Sequence, residues 1–572
     1  MPIGARPRSP GTAAGSTTSV SPPARPSRPD GATVSTSSGY VLALDEGSSS
    51  ARAVLIDAQG AVVGEASSQI DPIFPHEGWV ELDPFDLWDA PRTAILGALA
   101  RARVDGSEVR AVGVTSHRET IVMWDRRTGA PVHNAIMWMS KQTDDIVREW
   151  SARGLDDEFR SRTGVRNDSF FSAAKVAWLL RHVPGARERA ERGELAIGTP
   201  ETWLLWNLTG GAAHRTEPGA ASRTGLMSLA RAEWDHEFCG ILDIPISLLP
   251  EIVPSNAWFG DVAPGILPGA EHRSVPILAV LGDQQAGLYG EACLEPGSAK
   301  NTFGTAGVLT VNVGSRPRTL PGMCSSVAWR FDDDVTYEAE GVVFHSGQTI
   351  QWLRDRLGIL PGAAASERLA ESVPDSGGVY LVPAFAGLFD PHWDRNARGG
   401  IVGLTLESTA AHVVRAGIEA MAFQTRDNVD NLRRHGVTIP LLKVDGGATR
   451  NNLLCQFQAD ILGIPVARPQ GLERTALGIG HLAGSGAGIW RRDEIAQRWH
   501  LERVFEPRMS EDEREERYAG WLDAIASIRT LPPRRTWSVP DPAAPSAAPG
   551  AAGAAPVPHP TVSPVGTTPT PA

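Results

Sequence analysis

The chain has 572 residues, 42% of them hydrophobic and 21% charged, which suits a globular protein of several domains with a large buried core. A net charge of −12 excludes the basic footprint that nucleic acid or an anionic membrane surface requires, and no apolar run approaches the ~18–20 residues that span a bilayer. Cys239, Cys293, Cys324 and Cys455 lie far apart without a CxxC pair, so they frame neither disulfides nor zinc and point to a reducing, cytoplasmic setting.

Residues 1–37 are rich in Ser, Pro, Gly and Ala, with a single acid at Asp30, and are expected to form a disordered N-terminal extension. From Tyr40 to Leu44 the chain is apolar, as in a buried strand. Asp45-Glu46-Gly47-Ser48-Ser49-Ser50 is a turn, Ala51 to Asp57 a second strand, and Ala58-Gln59-Gly60 turns into a third. This predicts an antiparallel meander whose first turn carries small polar residues. Asp83-Pro84 predicts a helix start, with Asp as N-cap and Pro at the first helical position, and an apolar face of Leu87, Trp88, Ile95, Leu96 and Leu99. Val109 to Val114 reads as a strand ending in Thr115-Ser116-His117-Arg118-Glu119-Thr120. Val275 to Leu281 is another, ending in Gly282-Asp283-Gln284-Gln285. A second strand–turn–strand unit spans Lys300 to Val311, with its turn at Gly304-Thr305. A third turn, Val444-Asp445-Gly446-Gly447-Ala448, leads to a helical stretch after Asn451. Residues 532–572 are a Pro/Ala/Thr-rich tail, again expected to be disordered.

Two small-residue turns, one in each half, suggest two α/β lobes facing each other over a phosphate. Glycine and serine let backbone N–H groups and hydroxyls approach phosphate oxygens. Asp45 is placed to serve Mg²⁺ through water, because magnesium keeps much of its hydration. Read alone, the first turn is equally an ordinary hairpin turn. Arg118 donates and Glu119 accepts, so the pair suits neighbouring hydroxyls; read alone, it is a surface salt bridge. Asp283 beside amides suits the proton of an attacking hydroxyl, or it simply caps a helix. The GxxxxGK[ST] loop is excluded, since the chain has no Gly-Lys pair. Gly478-Ile479-Gly480 and the glycines after it follow no predicted strand and read as a small-residue helix packed closely on a neighbour, not as a dinucleotide fingerprint.

Taken in order, these segments resemble the FGGY carbohydrate kinases of the actin–hexokinase superfamily. The resemblance runs from about Tyr40 to Trp521. Its motifs include the run from Asp45 to Arg52, Gly78-Trp79-Val80-Glu81, Arg118-Glu119-Thr120 and Asn134 to Trp138. It continues through Ala221-Ser222-Arg223-Thr224, Gly282 to Ala286, Ala299-Lys300-Asn301-Thr302, Gln351 to Asp355, and Val444 to Gly447. The resemblance implies two ribonuclease-H-like lobes with a nucleotide cleft between them: residues 38–290 as the polyol and phosphate domain and 291–531 as the nucleotide domain. It implies ATP-dependent phosphorylation of a small polyol, glycerol first and a four-carbon tetritol as the alternative, with Mg²⁺ as cofactor. By resemblance, Ser48, Ser49, Ser50 and Arg52 contact phosphate, and Thr305, Gly347, Gln351, Gly447 and Asn451 line the rest of the nucleotide site. Asp45 serves the metal. Arg118, Glu119, Asp283 and Gln284 hold the polyol, Trp138 and Phe170 pack beside it, and Asp283 is the general base. Oligomers are common in the family, so a homo-oligomer is a further expectation. A catalytically silent nucleotide-binding regulator is the competing reading.

Several positions depart from the family pattern. Phe170 stands where Tyr is usual, Val308 where Phe is usual, and His117 where Gln is usual. Glu46 stands where Gln is usual and, near phosphate, is expected to point away or toward the metal. One lost neutral hydrogen bond at Phe170 is worth about 0.5–1.5 kcal/mol, tenfold at most.

Overall fold

The computed structural model describes residues 39–529; the expected disordered segments, 1–37 and 532–572, lie outside the described residues. The first half is built on strands β1 (Tyr40–Glu46), β2 (Ser50–Ile56), β3 (Val62–Gln69), β4 (Val109–Ser116) and β5 (Pro276–Gly282). The sheet runs β5-β4-β1-β2-β3, with the two-residue strand Gly260–Asp261 added beyond β5. The predicted meander is present: β1 and β2 pair antiparallel with Asp45 opposite Arg52, and β2 pairs antiparallel with β3. β4 lies parallel to β1, with Glu46 beside Ser116, and β5 lies parallel to β4, with Gly282 beside Ser116. The carboxyl ends of β1, β4 and β5 therefore emerge side by side, which is where open α/β sheets present ligand sites.

The two faces of β1 show why the sheet needs cover on both sides. Leu42 and Leu44 join a core with Ala94, Ile95 and Ala98 of helix α1 (Asp86–Ala102). Val41 and Ala43 join another with Ala476, Ile479 and Ala483. A central strand buried on both faces reads as a continuous apolar run rather than an alternating one. Helix α1 starts later than expected. Residues 83–85 form a turn in which the Asp83 carboxylate accepts from the Phe85 N–H at 2.8 Å, and the N-cap is Phe85. Asp83 thus caps a turn rather than the helix, and Leu96 of the predicted apolar face is 44% exposed.

The second half repeats the plan. Strands β6 (Ala299–Phe303), β7 (Gly307–Gly314), β8 (Cys324–Phe331), β9 (Asp334–Val343), β10 (Leu442–Asp445), β11 (Val466–Pro469) and β12 (Leu501–Phe505) form one sheet in the order β8-β9-β7-β6-β10-β11-β12. Within it, β6 pairs antiparallel with β7 and β7 with β9, β8 lying outside them at the edge, while β10 and β11 continue parallel to β6. Two helices that each follow the last parallel strand of their sheet meet one another: α2 (Asp283–Gly290) after β5, and α3 (Arg474–Gly486) after β11. They touch at backbone distance, since a Cβ on Gly478 would sit 2.2 Å from the Ala286 carbonyl oxygen. The glycines read in sequence as a packing helix are that. Helix α3 also covers the Val41/Ala43 face of the first sheet, so the downstream half of the sequence supplies a wall of the upstream one.

Candidate active site

At the end of β4 the chain turns with His117, Arg118 and Glu119 all buried, each about 4% exposed. Asp283 is the first residue of α2, with Gly282 as the cap, so the carboxylate is free of capping duty toward the helix interior. It accepts from the Gln284 N–H at 2.7 Å and lies 3.1 Å from Arg118 Nε, with a quarter of its side chain exposed. These residues open on a cavity of about 360 Å³, lined also by Ser48, Ser49, Trp138, Phe170, Gln284, Thr305 and Val308. Every residue expected to hold a polyol faces this one space.

Arg118 and Glu119 are not a surface pair. Arg118 Nη2 lies 2.7 Å from the Glu340 carboxylate, Arg223 Nη2 lies 2.6 Å from the same carboxylate, and Arg223 Nε donates to Glu119 at 2.8 Å. Glu340 sits on β9, so the second sheet props the first sheet's ligand-facing pair from below. Adjacent Glu338 is fully buried and neither of its oxygens accepts a hydrogen bond. Burial, then the Glu340 carboxylate, pushes Glu338 above its ordinary range, whereas the guanidinium groups of Arg118 and Arg223 hold Glu340 below it. Lys300, also fully buried, donates to Thr302 Oγ1 at 2.7 Å and to the Gln284 side-chain oxygen. Arg223, Glu338, Glu340 and Lys300 were given no role in the sequence reading. Arg223 and Lys300 lie inside motifs that carried the resemblance, and lysine is rare in this chain, but nothing local indicates that they meet.

One wall is aromatic. The Trp138 ring lies 5.6 Å from Phe170 and 5.4 Å from Phe344, and Phe344 stacks on Phe389 at 4.0 Å. Trp138 Nε1 donates to Ser48 Oγ at 2.7 Å, tying the wall to the first turn. Phe170 is held from behind: buried Lys175 Nζ donates to the carbonyls of Ser169, Phe170 and Phe171 at 2.7, 2.6 and 2.9 Å. Three diverging donors on one atom are what an ammonium offers and a planar guanidinium does not.

A second cavity of about 500 Å³ is lined by Thr305, Gly347, Gln351, Gly447 and Asn451, the five residues expected around the nucleotide. Gly304 and Thr305 border both cavities. Gly347 opens the helix Gly347–Asp355, and Asn451 caps the helix Asn452–Leu462 through the Leu454 N–H at 3.0 Å. Two helix N-termini at one cavity favour an anionic ligand.

Three expected contacts stand apart. Ser50 and Arg52 line neither cavity, and Arg52 is ion-paired with Glu473 at the start of α3. Asp45 lies opposite Arg52; burial, with Asp283 adding to it, pushes its carboxyl up to about 7. A carboxylate held at such a cost gains from a cation. Among the described residues no group of three or more His, Cys, Asp or Glu side chains has metal-holding geometry. Glu46 is fully buried, and alternation along the strand sets it on the face opposite Asp45. Burial and the nearby Glu201 push its carboxyl well above 4.5.

Family models for the N-terminal and C-terminal domains of the FGGY family of carbohydrate kinases match residues 40–290 and 299–487. The chain belongs to the FGGY family of carbohydrate kinases. Glycerol kinase of Halorhodospira halophila is 48% identical over 488 residues, 85% of this chain and 96% of that protein. Glycerol kinase of Symbiobacterium thermophilum is 48% identical over 494 residues, 86% of this chain and 98% of that one. Among solved structures, Plasmodium falciparum glycerol kinase with ADP is similar at a TM-score of 0.80 and 29% identity, covering 86% of this chain and 99% of that chain. No helix among the described residues of this FGGY kinase is long and apolar enough to cross a membrane, and its four cysteines are buried and free.

Proposed function

We propose that this FGGY kinase transfers the γ-phosphoryl group of ATP to a terminal hydroxyl of a small polyol, glycerol before others, giving glycerol 3-phosphate and ADP. The observation that carries the proposal is the junction of two cavities at Gly304–Thr305. One is lined by Arg118, Glu119, Asp283, Gln284 and Trp138, the other by Gly347, Gln351, Gly447 and Asn451. The glycerol kinases to which the chain is 48% identical support the choice of acceptor.

The chemistry asks for alignment more than for covalent help. Arg118 and Glu119, clamped by Arg223 and Glu340, donate to and accept from neighbouring hydroxyls, while Trp138 and Phe170 pack on the carbon chain. The Asp283 carboxylate takes the proton of the attacking hydroxyl. As that oxygen bonds to the γ-phosphorus, the bridge to the β-phosphate breaks and its electron pair leaves with ADP. Asp45 would hold Mg²⁺ through water, and the ion would supply charge neutralisation at the phosphates. Ser48 and Ser49 lie against the phosphate from the first turn. In this reading residues 38–290 carry the polyol side and 291–531 the nucleotide side, with α3 as the crossing wall.

ADP release measured against glycerol, erythritol, threitol, xylitol and dihydroxyacetone tests the proposal, with Asp283→Asn in parallel. Glycerol is expected to give the highest kcat/KM, and the variant to lose about 10²–10⁴ in kcat, the usual share of a general base. A tetritol outranking glycerol would assign the smaller Val308 and the hydroxyl-free Phe170 to a longer acceptor. ATP binding without turnover on any polyol would leave the regulator reading.

A further inference from the structure

His117 lies at the mouth of β4 between the first turn and Arg118, and nothing in the reading above uses it. Its backbone N–H donates to the Glu46 carbonyl oxygen at 3.0 Å, and its ring Nδ1 lies 3.2 Å from the same oxygen. A carbonyl oxygen only accepts, so Nδ1 carries the hydrogen. Burial holds the ring below its ordinary 6.5, against the pull of the Glu46 carbonyl, Asp283 and Glu119, so the imidazole is neutral. In a neutral ring protonated at Nδ1, Nε2 is a lone pair. That atom is buried and has no hydrogen-bond partner in the protein, and the residue borders the 360 Å³ cavity together with Arg118, Glu119 and Asp283. A buried acceptor left unpaired is costly and is explained when a ligand donor completes it.

We propose that His117 Nε2 accepts a hydrogen bond from one hydroxyl of the bound polyol and is a specificity-determining residue that selects a hydroxyl donor at that carbon. This rests on the polyol reading of the cavity. The pocket's accounting agrees with it. Among the side chains lining the cavity, Asp283, Glu119 and His117 Nε2 offer lone pairs and no hydrogen, which suits the O–H donors of a triol. A glutamine at 117 presents either end of its amide; this imidazole, fixed by the strand register, presents only an acceptor. A ketone in the same place meets lone pair with lone pair.

The test is a cycle of substrates and variants. Wild type, His117→Leu and His117→Gln are assayed with glycerol, propane-1,2-diol, propane-1,3-diol and dihydroxyacetone, at saturating and at varied ATP. With glycerol, His117→Leu is expected to lose up to about tenfold in kcat/KM, the range of one neutral hydrogen bond, with the KM for ATP unchanged. With the one diol that lacks the hydroxyl facing Nε2, wild type and His117→Leu are expected to coincide. His117→Gln, which keeps a polar side chain should the leucine variant misfold, is expected to keep glycerol and to narrow the preference for glycerol over dihydroxyacetone. Equal losses for glycerol and both diols, or a change confined to the KM for ATP, would overturn the assignment. Absence of turnover by wild type on every polyol would instead remove the reading of the cavity, and this inference with it.

Discussion

Beneath the cavity lined by Arg118, Glu119 and Asp283 the protein buries two guanidinium groups, Arg118 and Arg223, with Glu119, Glu338 and Glu340. Against the cost of burial, both arginines hold the shared Glu340 carboxyl below its ordinary range; burial and then the Glu340 carboxylate push Glu338, 3.8 Å from Arg118 Nη1, above it. The consequence for stability has a definite sign. Glu338 keeps its proton in the folded state at pH values where the unfolded chain, at its ordinary 4.5, has released it. Stability is therefore lost as pH rises above 4.5 toward the folded-state value, by at most ~1.4 kcal/mol per pH unit for one proton. Glu338→Gln replaces the neutral acid with a neutral amide, so the variant is expected to match wild type near pH 5 and to melt higher at pH 8. Parallel plots of Tm against pH for the two proteins would show that Glu338 is not the titrating group. At this scale the sequence was legible where one residue type at a strand end implied chemistry, as at Arg118, Glu119 and Asp283. It was silent on the charges beneath them, because Glu340 reaches Arg118 only when the two halves of the chain fold against each other.

Helices α2 and α3 show the same division one scale up. Small residues at Gly478, Gly480 and Gly484 were legible as a close-packing face; the partner, α2, lies some two hundred residues earlier and could not be read from spacing. A Cβ at Gly480 would meet Ile56, one at Gly484 would meet Trp490, and one at Gly478 would strike the Ala286 carbonyl oxygen. Replacing a helical glycine by alanine ordinarily gains about 1 kcal/mol. At Gly478 the sign is expected to reverse, because two backbones must separate and the packing lost exceeds the propensity gained. Gly240, in the helix His236–Ile241 with nothing within 4 Å of its added Cβ, is the control and is expected to be neutral or slightly stabilised as alanine. Thermal melts of the two variants decide it; equal Tm changes would mean that the α2–α3 contact carries no close packing. The meander strands and both turns were legible for a simpler reason, since apolar runs bounded by Gly, Ser and Asp need no partner to be recognised. The start of α1 was misplaced because Asp-Pro suits a turn as well as a helix cap, and the Asp83 carboxylate took the nearer N–H.

At the scale of the whole described chain, two cavities meet at Gly304–Thr305, one lined from both sheets and the other from the second half alone, with α2 and α3 packed between the two sheets. The cavity at Arg118 and Asp283 is also braced by the second sheet, through Glu340 to Arg118 and through Lys300 to Gln284. A ligand that orders Arg118 and Gln284 therefore acts on groups anchored in β9 and β6, and β6 ends at Phe303 on the wall of the second cavity. Binding at one cavity is then expected to alter affinity at the other, and by linkage the factor must be the same in both directions. Calorimetric titration of a non-hydrolysable ATP analogue, with and without saturating glycerol, measures that factor. We expect at least a fivefold tightening, the lower end of ordinary coupling energies, matched by an equal tightening of glycerol in the presence of the analogue. Lys300→Met, which cuts the link from β6 to Gln284, is expected to reduce the coupling factor while leaving the analogue's own affinity in place. A coupling factor of one in wild type would mean that the two cavities bind independently and that the bridging charges serve stability alone.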